Sequence, residues 1–134
     1  MIPRQLAPDK PLKCTRLNLL LFSVGGVYFG VDADQVGAVT AYQGGMQENT
    51  LWFHDVMGYG NQTVEYKCPV VITIKTAPYQ MIIDSMEDIA EFSVNEFRLL
   101  PRLVESFALK RGIWGVLLRH KRMTLLLDLM RLPI

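Results

Sequence analysis

Two stretches of this chain, Leu19 to Val39 and Cys68 to Phe92, spell the same local structure. LLLFSVGGVYFGVDADQVGAV and VVITIKTAPYQMIIDSMEDIAEF each run through an apolar strand, a turn of small residues, a second strand ending in an apolar residue, and an aspartate. The matched pairs are Val31-Asp32 and Ile83-Asp84. An aspartate there can accept from the free N–H groups of a helix start, with Gln35 or Glu87 three residues on returning a bond to the cap's own N–H. Each hairpin is therefore expected to run into a short helix. In the first copy this helix spans Ala33 to Val39 and presents Val36 and Val39 on one side. Ile89 and Phe92 follow Asp84 with the same spacing of three, one residue further on.

A second phrase follows each copy. WFHDVM at Trp52 to Met57 and LLLDLM at Leu125 to Met130 both end a strand in Asp-apolar-Met, so Asp55 and Asp128 are expected to cap helical turns as well. The chain reads as two related halves, 17–60 and 61–134. Several short strands with few long helices give an all-β class, mainly strand with short helices, of barrel or sandwich type.

These phrases, in this order and twice, resemble the CheW-like domain of bacterial chemotaxis adaptors. The likeness covers Leu17 to Leu132: a strand ending in Val-Asp, a helix, a strand ending in Asp-apolar, an Ile-Asp hairpin and a closing strand pair ending LLLDL. It departs from the family in the first half. Asp55 follows Asp32 by 23 residues, whereas Asp128 follows Asp84 by 44. Two strands that family members usually carry between Tyr42 and Leu51 are absent, and Gln43 to Asn49 has only the chemistry of a turn. The resemblance implies a pair of small β-barrels, the first truncated. It also implies a cytoplasmic, non-catalytic scaffold or adaptor in signal transduction, binding a chemoreceptor (a methyl-accepting protein), a CheA-type histidine kinase, or both. Val36, Val39, Ile89 and Phe92 are then the candidate partner-binding residues, bordering a groove between the halves. The alternative is a stand-alone β-barrel module that homodimerises and couples nothing. A homodimer is expected in either case, because a barrel lacking strands leaves a backbone edge unpaired, and apolar Leu17 to Val24 is the economical place to cover it.

The rest of the sequence bounds other functions. With 134 residues, half of them apolar, and a net charge of +1, the chain suits one well-buried domain. It carries no strong field for nucleic acid. Arg98, Arg102, Lys110, Arg111, Arg119, Lys121, Arg122 and Arg131 gather in the last third, mostly near turns, and read as a solvated face. Cys14 and Cys68 lack metal-ligand spacing and read as free thiols. His54 beside Asp55 and His120 in a turn make neither a triad nor a zinc motif, and no phosphate loop or nucleophile elbow occurs. No enzyme activity, cofactor or metal is expected. No run reaches the roughly 20 apolar residues of a membrane span. Met1 to Pro11 is rich in proline and polar residues, so residues 1–16 are expected to form a mobile tail. Two finer expectations concern the second half: Pro69 marks a strand start or edge, and Ser93 with Glu96 has capping-box spacing.

Overall fold

The computed structural model describes residues 16–45, 47–60 and 63–134. Cys14 and all of the expected tail except Arg16 lie outside them. The described chain is mostly strand, in the all-β class read from the sequence. β1 (Arg16–Val24) and β2 (Val27–Asp32) form the first hairpin. Gly25 and Gly26 turn it with φ of 60° and 82°, a left-handed pair that L side chains resist. β3 (Val36–Ala41), β4 (Thr50–Trp52) and the short helix α1 (Phe53–Val56) complete the first half. β5 (Pro69–Ile74) and β6 (Gln80–Asp84) make the second hairpin. They are followed by β7 (Asp88–Ser93), β8 (Phe97–Leu99), helix α2 (Arg102–Leu109), β9 (Ile113–Arg119) and β10 (Arg122–Leu127).

The strands build two sheets. One is six-stranded in the order β7-β1-β2-β10-β9-β8; the other is four-stranded, β3-β5-β6-β4. Each half of the sequence contributes to both, so the repeat is one of hairpin form, not of separate bodies. β1 lies inside its sheet, antiparallel to β2 on one side and to β7 on the other. The unpaired edge expected on Leu17 to Val24 is therefore absent. β7 fills it, because Asp88 to Ser93 forms a strand where the Asp84 phrase suggested a helix.

β1 alternates between two cores. Leu20, Phe22 and Val24 point toward the four-stranded sheet and meet Ile72, Met81 and Ile83, while Leu19 and Leu21 point the other way onto Trp114, Leu117 and Leu126. Burying such a side chain contributes about 1.5–3 kcal/mol, which explains a strand apolar on both faces. α1 sets Phe53 against the stacked rings of Phe22 and Phe29, edge-on to both at 5.3 and 4.7 Å.

Pro69 does begin a strand, since it has no N–H to donate to a ladder. Val64 to Lys75 alternates apolar and outward residues in sequence with Cys68 on the apolar row, but the strand starts only at Pro69 and Cys68 is exposed. Ser93 and Glu96 close the capping box around the 3-10 turn Val94–Glu96. Among the described residues, no helix is long and apolar enough to cross a membrane.

Candidate functional site

The four aspartates divide into two working caps and two corrections. Asp32 accepts the Asp34 N–H at 2.9 Å and caps the 3-10 turn Ala33–Gln35. Asp128 accepts the Met130 N–H at 3.0 Å and caps Leu129–Arg131. Gln35 does not return a bond to its own cap. Its side-chain amide donates to Asp128 at 3.0 Å and accepts the Leu129 N–H at 2.9 Å, tying the two turns together across 93 residues of sequence. Burial pushes the Asp32 carboxyl above the usual aspartate range. The Asp34 N–H opposes that shift, and the charges of Asp34 and Asp128 add to it.

Asp84 caps no helix. Buried at 4% exposure, it accepts the N–H groups of Lys67, Cys68 and Ser85 at 2.9, 2.6 and 2.9 Å. It acts as a clamp because Pro69 opens β5 opposite it, leaving the donors just before that strand without a ladder partner. Glu87, expected to complete the cap, pairs with Arg122 at 3.2 Å instead. Asp55 sits inside α1, which begins after Trp52 with no side-chain cap.

Asp55 reaches His54 Nε2 at 3.4 Å, and His54 Nδ1 lies 2.9 Å from the Tyr66 hydroxyl, so these sequence neighbours do meet. The row has the outline of a relay. Burial pushes Tyr66 up to about 12, however, opposite to what a nucleophile near neutral pH requires. The Tyr66 hydroxyl also accepts the His54 backbone N–H at 3.1 Å, which makes it a brace for α1. Among the described residues, no three His, Cys, Asp or Glu converge as a metal site.

Val36, Val39, Ile89 and Phe92 all stand on strands. Val36 and Val39 lie on β3, an outer strand of the four-stranded sheet; the helix expected over Ala33 to Val39 stops at Gln35, because β-branched residues around Gly37 favour the sheet. Ile89 and Phe92 lie on β7, an outer strand of the other sheet. Phe92 is 8% exposed and belongs to the second core, which removes it from any contact surface, whereas Ile89 is 55% and Val39 37% exposed.

One surface escaped the sequence reading. Arg98 to Lys110 is only weakly periodic in sequence, yet α2 forms within it, directly after Pro101. Its Ala108 is buried, while Leu103 and Phe107, one turn apart, are 95% and 61% exposed. The Arg111 guanidinium lies 4.1 Å from the Phe107 ring centre and also borders an apolar hollow of about 370 Å³ lined by Val27, Phe29, Tyr59 and Leu125. The readable signal was the proline before the first turn combined with Leu103-x-x-x-Phe107 spacing. A second, polar cleft of about 310 Å³ lies between Thr40, Thr50, Val71 and Gln80 and the loop that carries Tyr42 and Gln47.

Against solved structures, the chain is similar to the scaffolding protein TtCheW from Thermoanaerobacter tengcongensis. The TM-score is 0.65 over 84% of this chain and 89% of that one, at 14% sequence identity. The fold is CheW-like. No family model matches the sequence, and no curated protein does. At that identity the likeness establishes the fold of this chain, in agreement with the resemblance read from its repeated phrases.

Proposed function

We propose that this chain is a non-catalytic scaffold of a chemotaxis-type signalling complex in the cytoplasm, docking a chemoreceptor, a CheA-type histidine kinase, or both. The observation that carries this reading is the fold it shares with a protein described as a scaffold, along most of both chains. Surface chemistry supports it. Leu103 and Phe107 form an apolar face with Arg111 beside it, suited to an amphipathic partner helix carrying acidic flanks. Val36, Val39 and Ile89 carry forward the groove expected from the sequence, without Phe92.

The test is capture of a receptor signalling-tip fragment and of the kinase by purified protein, with Leu103→Asp and Ile89→Asp compared after both are shown to be folded. Loss of capture by Leu103→Asp assigns the α2 face; loss by Ile89→Asp assigns the groove. If the unaltered protein captures neither partner, the adaptor reading is wrong. The stand-alone module is favoured by one observation, the β3 edge left unpaired among the described residues, and would appear as failure to activate kinase in reconstituted receptor arrays.

A further inference from the structure

β3 pairs with β5 on one side, and on the other no strand among the described residues pairs with it. Which of its backbone groups face outward follows from the register. The Tyr42 N–H donates to the Pro69 carbonyl at 3.3 Å, and Ala41, Thr40, Val39 and Ala38 face Val70, Val71, Ile72 and Thr73 in turn. In an antiparallel ladder, residues alternate between bonding the partner and pointing their N–H and C=O away from it. Tyr42, Thr40 and Ala38 therefore bond β5, while Val39 and Ala41 present their backbone groups at the free edge. At Gly37 the register shifts by one residue, and a side chain there would place its Cβ 2.7 Å from the Thr73 hydroxyl. The bulge ends the regular edge on that side.

We infer that β3 is a homodimer interface, pairing antiparallel with β3 of a second copy about a two-fold axis at Thr40. Two observations select a second copy as the occupant. The outward residues Val39 and Ala41 are symmetric about Thr40, so an identical strand satisfies all four of their backbone groups by bonding Val39 of each copy to Ala41 of the other. From Val36 to Tyr42 the strand carries no charged side chain, and the protein's net charge is only +1, so two copies approach without like-charge repulsion. Natural edge strands are commonly guarded by lysine or proline, and this one is not. On the axis, Thr40 faces Thr40 across a non-hydrogen-bonded position, where side chains lie closest and threonine pairs are favourable. The pairing joins two four-stranded sheets into one. It does not depend on the adaptor reading.

The test uses the full chain with Cys14→Ser and Cys68→Ser. Adding Thr40→Cys should give a disulfide-linked dimer under mild oxidation, whereas Ala38→Cys, which faces Tyr42 of the other copy, should not. Val39→Pro removes an outward N–H and leaves the β5 bonds in place. It should weaken association about tenfold or more in sedimentation while thermal unfolding of the monomer changes little. Equal cross-linking by the Thr40 and Ala38 cysteines, or a monomer at every concentration from about 1 µM to about 1 mM, would overturn the inference.

Discussion

The two hairpins share a sequence phrase and a position inside their sheets, yet their closing aspartates do different work. Asp32 faces Leu19 on β1, a strand that runs on past it to Arg16, paired with β7 and without a proline at that point. Its carboxylate turns forward to Asp34 instead. Asp84 faces Pro69, the first residue of β5, and the N–H groups of Lys67 and Cys68 lie just beyond the ladder. The same residue becomes a cap in one copy and a clamp in the other, according to which donors the neighbouring strand leaves free.

That contrast breaks most visibly at Asp84. Asp84→Ala should cost about 2–3 kcal/mol, since it removes the buried acceptor that the Lys67 and Cys68 N–H groups both use. Urea unfolding would measure it, and the Lys67 and Cys68 amides should lose their exchange protection. Asp32→Ala should cost about 1 kcal/mol, the usual effect of losing a helix-type cap. A cost equal to that at Asp84 would erase the difference between the hairpins. Asp55→Ala should fall within about 0.5 kcal/mol, because that side chain is mostly exposed and caps nothing.

A pH titration sharpens the Asp32 side. With its carboxyl raised by burial, the folded state keeps a proton that the unfolded state has already released just above the usual aspartate range. Stability should therefore fall as pH rises through that window and recover on acidification. Asp32→Asn keeps an acceptor for the Asp34 N–H and should flatten this slope. Unchanged slopes in the two proteins would show that Asp32 titrates normally.

Strands and turns were legible where side-chain chemistry is local. Gly25-Gly26, the Ser93–Glu96 box, the Pro69 start and the His120-Lys121 turn each depend on residues a few positions apart, and each is where the sequence places it. Pairing partners were not legible. That β7 covers β1, and that Gln35 reaches Asp128, are settled by contacts some 70 to 90 residues apart. The same distance misled the helix reading after Asp84, since a D-x-x-E pattern offers a cap that tertiary donors can outbid. α2 was missed for another reason: its eight residues give only about two turns, too short a run for the apolar spacing to stand out from the flanking sequence.

The β3 edge, unpaired among the described residues, links the dimer to the reading of function, and amide hydrogen exchange along β3 in dilute solution tests it most directly. The account predicts alternation, with Ala38, Thr40 and Tyr42 protected by β5 and Val39 and Ala41 exchanging rapidly at the free edge. Uniform protection from Ala38 to Tyr42 in the monomer would mean that another strand already covers this edge, and would contradict it.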